Sequence, residues 1–389
     1  MKHVFLRMLI IPVFLFTAAI SYSVDVSAGA VPLIDAEESN DALNWVHGFY
    51  AFGSFGQRDM IPQMDSVSFG WSVMQWSEES GIRLNTSPSG GNQMRVPDGY
   101  ALIAALPREN DTRANLNVFM DTSTGLGELL ASKENRSASV KEILTELSRT
   151  YSGIGRSPYD GVTINFEGLR GKESQADFTA FLVELRAGLS DFHTLYVTVH
   201  PATTDGKYFD GYNYREIGRL ADKVILLAHD YHPRSMEGFL GTAWQRNAAL
   251  TPIAEIHHAL EAITCPETGV EDLEKIAIAF SFPNVGWFVD KQGLLVSPTP
   301  ITVSNETVMQ RMAQPDTYFG WSETHKNPYI IYTTEKDEYV FLWYEDSRSV
   351  AEKIKLARSF GVTGASVWRL GIIPNNNEWD VWGNFARKD

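Results

Sequence analysis

The stretch from Tyr159 to Glu167 constrains the fold of this chain more than any other. Its β-branched centre favours a strand. Strand side chains alternate between two faces, so one face is apolar and the other polar: Val162, Ile164 and Phe166 against Thr163, Asn165 and Glu167. A polar face that ends in a carboxylate is typical of a barrel interior near its catalytic end. The alternative is an edge strand with one solvated face.

Short apolar runs alternate with helical patterns along the chain. The predicted strands are His47–Phe52, Ser66–Trp71, Tyr100–Leu106, Gly161–Glu167, Thr194–His200, Lys223–Asp230, Lys275–Ser281 and Gly364–Leu370. The predicted helices are Ala138–Tyr151, Gln175–Leu189, Pro252–Ile263 and Arg348–Phe360. This order indicates parallel βα units, and eight strands predict an α/β fold of the closed (β/α)₈ TIM-barrel type.

Two regions interrupt the alternation. Residues 107 to 137 are polar, and only Asn117–Met120 resembles a short strand. Residues 284 to about 340 are rich in proline and contain strand-like pieces at Tyr329–Thr333 and Tyr339–Trp343. We predict that this second region is a small α+β insertion between the seventh strand and the last helix.

The first residues have the pattern of a secretory signal. A basic start precedes the apolar stretch Met8–Ile20, and small residues follow it. We predict a signal peptide over residues 1–30, cleaved after Ala28 or Ala30, and an exported mature chain over residues 31–389. An uncleaved membrane anchor is the alternative, although the apolar stretch is shorter than the ~20 residues of a typical span.

Composition excludes several classes of function. The net charge of −15 without a basic stripe argues against nucleic acid as a partner. The single cysteine, Cys265, cannot form an internal disulfide, and we expect no function for it. No Cys/His cluster has zinc spacing, so we predict no metal and no organic cofactor.

Polar and aromatic residues collect at the ends of four predicted strands. Glu167 ends the fourth strand, His200 the fifth, His229 and Asp230 the sixth, and Trp368 lies in the last. These residues converge on one mouth if the barrel closes. A desolvated carboxyl beside aromatic rings has a raised pKa, which suits a general acid.

The chain resembles glycoside hydrolase family 18, and most closely its branch of bacterial spore cortex-lytic N-acetylglucosaminidases. The family motif Asp-x-x-Asp-x-Asp-x-Glu corresponds to Asp160–Glu167, and Met-x-Tyr-Asp corresponds to Leu227–Asp230. Segments Trp343–Ser349 and Gly364–Gly371 resemble that branch's lead-in to the last helix and its final strand. The resemblance runs from about His47 to Gly371.

The resemblance implies a substrate-assisted, retaining mechanism, in which the acetamide oxygen of the substrate attacks the anomeric carbon. Glu167 would be the acid and base, and the residue at 165 would hold the acetamide N–H. The residue at 229 would bind the acetamide oxygen, and Trp368 would lie under the sugar. We also expect Asp230, Thr163 and Tyr50 to contribute to substrate binding.

Three positions depart from the family pattern. Asn165 and Thr163 replace aspartates, and His229 replaces a tyrosine. An amide oxygen can accept the acetamide N–H bond but carries no charge, and losing such a stabiliser costs about 2–4 kcal/mol. His229 can donate a hydrogen bond from a ring nitrogen and can titrate near neutral pH.

We therefore predict a secreted hydrolase of β-linked N-acetylglucosamine glycans, with peptidoglycan preferred and chitin-type oligomers second. A glycan-binding pseudoenzyme on the same barrel is the alternative, because of the three departures. A structural envelope protein would have no need for Glu167 or Trp368. The substitution Asn165→Asp separates the first two, since it raises hydrolysis only if the site is active.

Overall fold

A computed structural model describes residues 43–88, 92–206, 210–376 and 379–385. The predicted signal peptide and the first residues of the predicted mature chain lie outside the described residues. None of the helices in the described ranges has the length and apolar character needed to cross a membrane.

Eight parallel strands form a closed barrel. The chain's strands are β1 (Trp45–Tyr50), β2 (Ser66–Ser77), β3 (Gly81–Asn85), β4 (Arg113–Asp121), β5 (Gly161–Glu167), β6 (Thr194–Val199), β7 (Lys223–Leu226), β8 (Ile276–Ser281), β9 (Asn284–Val289), β10 (Ile301–Val303), β11 (Tyr318–Ser322), β12 (Asn327–Thr333), β13 (Tyr339–Trp343), β14 (Gly364–Trp368), β15 (Asn375–Asn376) and β16 (Trp379–Asp380). The barrel order is β1, β2, β4, β5, β6, β7, β8 and β14, and β14 pairs again with β1. Strand β3 extends the sheet antiparallel to β2. The predicted TIM barrel is therefore confirmed.

Helices follow most barrel strands. They are α1 (Tyr100–Glu109), α2 (Leu126–Ala131), α3 (Lys133–Ser148), α4 (Gly171–Gly188), α5 (Tyr214–Leu220), α6 (Ile253–Ile263), α7 (Asn305–Met312) and α8 (Ser347–Ser359). The apolar face of β5 packs on α4, where the ring of Phe166 lies 5.1 Å from that of Phe181 and 6.1 Å from that of Phe178. Burying a side chain such as Phe166 contributes about 1.5–3 kcal/mol. This packing leaves the polar face of β5 for the barrel interior.

The third barrel strand is not where the sequence predicted it. Tyr100–Leu106 is not a strand, because these residues lie in helix α1. A continuous apolar run fits a buried strand and a helix equally well, and here Ile103 and Ala104 face the core while Leu102 is exposed. The third barrel strand is β4, within the region predicted to be mostly irregular. The strand also begins earlier and ends later than the short piece Asn117–Met120.

The insertion follows the seventh barrel strand, as predicted. Strands β9 to β13 form a five-stranded antiparallel sheet in the order β10-β9-β13-β12-β11, and α7 connects β10 to β11. The chain then enters α8, whose first turn is capped by Asp346 and Ser349 in a reciprocal capping box. The insertion thus lies between β8 and α8 in the chain.

Candidate active site

Glu167 is the last residue of β5 and lies at the carboxyl end of the barrel. Its side chain is one third exposed, at 33%. Asp121, which ends β4, is its neighbour in the strand register. Burial raises the pKa of Glu167, and the negative charges of Asp121 and Asp230 act in the same direction. His229 and an amide hydrogen bond from Asn165 oppose this rise without cancelling it. The site therefore favours the protonated form of Glu167 more than water does, while the carboxyl still reaches solvent.

Asn165 lies two residues before Glu167 on the same face of β5 and is 3% exposed. Its side-chain oxygen accepts a hydrogen bond of 2.6 Å from the hydroxyl of Thr198 on β6. Its side-chain amide donates to the carboxyl of Glu167. Both ends of the Asn165 amide are consequently oriented by neighbours, and the oxygen is directed towards β6.

Thr163 does not lie at the surface of the site, contrary to its predicted role in substrate binding. It has no exposed surface, and its hydroxyl bonds to that of Ser68 at 2.6 Å. Ser68 in turn bonds to His47 at 2.7 Å, and the other ring nitrogen of His47 bonds to Ser366 at 2.8 Å. Thr163 thus belongs to a buried polar network that crosses the barrel below Asn165. We define this barrel network as Thr163, Ser68, His47 and Ser366.

His229 and Asp230 follow the sixth barrel strand, which ends at Leu226, earlier than predicted. The Nδ1 atom of His229 lies 2.9 Å from a carboxylate oxygen of Asp230. Asp230 adopts a φ of 61°, a left-handed conformation that aspartate tolerates better than most residues. Burial favours the neutral form of Asp230, but His229, His232 and a hydrogen bond from Ser281 together hold its pKa below the ordinary value. Asp230 is therefore an ionised acceptor for His229.

His200 follows β6 and lies beside Glu167. Its Nε2 atom is 3.8 Å from a carboxyl oxygen of Glu167. Burial lowers the pKa of His200 to about 4, and nearby His229 and Arg170 add to this effect. A neutral imidazole at this distance contacts Glu167 without forming an ion pair.

Trp368 ends β14 and forms one side of the mouth. Its ring lies 5.1 Å from that of Phe49 at an angle of 63°, and it packs on the apolar cluster inside the barrel. The Trp368–Arg369 peptide bond is cis. The structure thus brings Glu167, Asn165, His229, Asp230 and Trp368 to the same end of the barrel.

Tyr50 does not join this group, although we predicted a role for it in substrate binding. It is 4% exposed and packs on Phe69 and Trp71, whereas its neighbour Phe49 faces the barrel interior. Strand alternation therefore places Tyr50 on the outer face of β1. There it lines a separate cavity of about 360 Å³ between the loops that follow β1 and β3, and burial raises its pKa to about 12.

The sequence analysis did not select Asp121 and Thr198. Asp121 was missed because the third strand was assigned to the wrong segment. The alternation of Ala114, Leu116, Val118 and Met120 with Asn115, Asn117 and Asp121 was the available signal, since it repeats the pattern of β5. Nothing in the sequence alone singles out Thr198 as the partner of Asn165.

No group of three or more His, Cys, Asp and Glu side chains in the described ranges could hold a metal ion. The mouth instead contains the protonatable carboxyl of Glu167, the amide of Asn165 and the His229–Asp230 pair, with His200 and Asp121 beside Glu167. Such a set can protonate a leaving group and form hydrogen bonds to an amide-bearing substrate.

Comparison with known proteins gives one family. The model described as "Glycosyl hydrolases family 18" matches residues 115–372, about two thirds of the chain. A cortical fragment-lytic enzyme of Bacillus anthracis is 22% identical over 289 residues, which cover 73% of this chain and 63% of that protein. This chain spans between 50% and 63% of the length of the first curated relatives that it matches.

Solved structures share the fold. The spore cortex-lytic enzyme SleL of Bacillus cereus superposes with a TM-score of 0.66 at 17% identity, covering 90% of this chain and 76% of that one. A family 18 N-acetylglucosaminidase of Paenibacillus barengoltzii superposes with a TM-score of 0.63 at 18% identity, covering 88% of this chain and 99% of that one.

Proposed function

Because the chain belongs to the glycosyl hydrolases of family 18, we propose that it hydrolyses β-linked N-acetylglucosamine glycans by substrate-assisted, retaining catalysis. The observation that carries this proposal concerns Glu167. It lies at the mouth of the barrel, where its side chain still reaches solvent, and burial raises its pKa. A carboxyl with a raised pKa keeps its proton to higher pH than a free glutamate does, and it can donate that proton to a leaving glycosidic oxygen.

The reaction proceeds in two steps. The acetamide oxygen of the substrate forms a bond to the anomeric carbon while the bond to the leaving oxygen breaks, and Glu167 gives that oxygen its proton. The product is an oxazolinium ion with an ionised Glu167. Water then adds to the anomeric carbon, Glu167 takes one of its protons, and the ring opens to restore the acetamide.

The substrate class is peptidoglycan, with chitin-type oligomers second. This choice is supported by the cortical fragment-lytic relatives and by the family 18 match. An exported location fits such a substrate, and the basic start with the apolar stretch Met8–Ile20 is the sequence pattern that supports export. Trp368 provides an aromatic surface on which a sugar ring can stack.

The second candidate is a glycan-binding protein without catalysis on the same site. It is favoured by Asn165, which places an uncharged amide where a carboxylate would stabilise the oxazolinium ion. Both candidates bind the glycan, but only the first hydrolyses it.

The test is the release of reducing ends from purified peptidoglycan and from chitin oligomers by the wild-type chain and by Glu167→Gln. We expect activity that falls by about 10²–10⁴ in the variant, because the general acid is lost. The matched control is Glu109→Gln, an exposed carboxyl in the last turn of α1, which should keep full activity. Retained oligomer binding without turnover in either protein would favour the second candidate.

A further inference from the structure

The His229–Asp230 pair fixes the proton on one nitrogen of the histidine ring. Asp230 is held ionised and can only accept, so the Nδ1 atom of His229 at 2.9 Å must carry a proton. In the neutral ring the other nitrogen, Nε2, then has a free lone pair and no proton. Nε2 is buried and has no hydrogen-bond partner among the described residues. An acceptor without a partner is thus available beside Glu167, whose carboxyl interacts electrostatically with His229.

Asn165 offers a hydrogen-bond donor, whereas Nε2 of His229 offers an acceptor. Its oxygen is turned towards β6 by the 2.6 Å bond from Thr198, and its amide group is turned towards Glu167. The amide has two N–H bonds and uses one of them on Glu167. The side of Asn165 that faces the mouth is therefore a donor.

We propose that His229 accepts the acetamide N–H of the substrate through Nε2, with Asp230 as its ionised support, and so replaces the carboxylate that Asn165 lacks. Asn165 donates to the acetamide oxygen before that oxygen attacks. This inference rests on the proposed function, and it reverses the role that the sequence analysis gave to His229, which was to donate to the acetamide oxygen.

The arrangement also accounts for the missing charge. When the acetamide oxygen bonds to the anomeric carbon, positive charge develops on the acetamide nitrogen, whose proton stays in place and hydrogen-bonds to Nε2. The negative charge of Asp230 lies one ring beyond and stabilises that positive charge through His229. In the family pattern, the aspartate that corresponds to Asn165 would stabilise this positive charge directly. Here His229 and Asp230 would stabilise it together.

The first experiment measures binding of a thio-linked N-acetylglucosamine disaccharide, which cannot be hydrolysed, by calorimetry to the wild-type chain, to His229→Phe and to His229→Gln. We expect His229→Phe, which has no acceptor, to bind about 10- to 100-fold more weakly, the usual effect of losing one such hydrogen bond. His229→Gln keeps a side-chain oxygen that can accept the same bond, so it should lose less affinity. Equal affinity of His229→Phe and the wild-type chain would overturn the inference.

The second experiment is a cycle of substitutions read by hydrolysis. His229→Tyr in the wild-type background replaces the ring nitrogen with a phenol oxygen, a weaker acceptor that carries its own proton, and should lower kcat about tenfold or more. In the Asn165→Asp background the new carboxylate accepts the N–H, so His229→Tyr should cost little or raise kcat. Thermal melting of each variant checks that it folds.

The outcomes separate this inference from the proposed function. Equal effects of His229→Tyr in both backgrounds would overturn the inference alone, provided that cleavage still depends on Glu167. Failure of the thio-linked disaccharide to bind the wild-type chain would overturn the proposed function and the inference with it.

Discussion

At the scale of single residues, Glu167 combines two properties that conflict. It remains one third exposed, as an acid that meets substrate must, yet its surroundings favour the neutral form. A raised carboxyl pKa means that the native state binds a proton that the unfolded state releases. Stability therefore falls as pH rises from the unfolded pKa of Glu167 through its higher folded pKa.

We expect Glu167→Gln to be more stable than the wild-type protein at neutral pH, because glutamine keeps the neutral form that the site favours. The difference in melting temperature should shrink towards about pH 4, where the wild-type carboxyl is mostly protonated in both states. The measurement is the melting temperature of each from pH 4 to 8 (about the range in which a raised carboxyl titrates). Glu109→Gln serves as the exposed control, and a wild-type protein that melts higher at neutral pH would contradict the assignment.

Sequence reasoning found the residues of the mouth more readily than their roles. Glu167, Asn165, His229 and Trp368 could be selected because strand alternation and strand ends are local patterns. Whether His229 donates or accepts a hydrogen bond could not be predicted, because it depends on the backbone turn that brings the Asp230 carboxylate to Nδ1. Whether these residues act as assigned stays a prediction.

At the scale of the strands, the barrel interior is polar where many barrels are filled by branched aliphatic residues. His47 on β1 is fully buried, and it lies stacked on Trp45 at 5.2 Å between the hydroxyls of Ser68 and Ser366. Burial lowers the pKa of His47 to about 3. The barrel network therefore requires a neutral histidine.

This requirement predicts loss of stability in acid. Unfolded His47 takes up a proton near its ordinary pKa of 6.5, whereas the folded protein does so only near 3. Below about pH 6.5 each pH unit should cost about 1.4 kcal/mol until the folded pKa is reached. Urea unfolding at pH values from 7 to 4.5, which reaches about two pH units below the unfolded pKa of His47, measures this loss of stability.

The matched variants are His47→Gln and His257→Gln, the second on an exposed face of α6. His47→Gln should flatten the acid limb of the stability curve, because glutamine does not titrate. His200, whose pKa burial lowers to about 4, leaves a residual slope. An unchanged acid limb in His47→Gln would show that other groups cause the loss.

The predictability of strands and helices depended on how specific each pattern was. Strand β5 and helices α3, α4, α6 and α8 were found because their apolar residues follow period 2 or 3.6 clearly. Helix α1 was taken for a strand because its seven consecutive apolar residues show neither period. Strand β4 was missed because its asparagines made a buried strand look like an irregular polar segment. Buried asparagine is costly unless paired, and here Asn115 pairs with Thr194 at 2.8 Å.

At the scale of the whole molecule, a buried ion pair lies where the insertion meets the barrel. Lys353 on α8 has no exposed surface, and its Nζ atom lies 2.7 and 2.6 Å from the two carboxylate oxygens of Glu345. The same carboxylate accepts from Asn327 on β12 and from Thr251 before α6. The main chain of Glu345 accepts from the indole of Trp379 at 2.8 Å. Three segments that are distant in sequence, at Thr251, Asn327 and Trp379, thus meet at Glu345 together with Lys353 of the next helix.

The sequence placed the insertion correctly but gave no sign of this junction. Composition and proline content locate a change of architecture, whereas a contact between Thr251, Asn327 and Lys353 requires the folded chain. The segment from Trp343 to Ser349 had been noted only as part of the family resemblance. Its physical role is to carry the carboxylate that neutralises Lys353.

Lys353→Met should destabilise the protein by about 3–5 kcal/mol, because it leaves the Glu345 carboxylate buried without its cation. The matched control is Lys355→Met, an exposed lysine two residues further along α8, which should change stability by less than about 0.5 kcal/mol. The double variant Glu345→Gln/Lys353→Met should recover part of the loss, since glutamine still accepts from Asn327 and Thr251 but carries no charge. Chemical denaturation of the four proteins measures these differences. A double variant that is less stable than Lys353→Met would mean that the hydrogen bonds of the carboxylate, and not its charge, hold the insertion to the barrel.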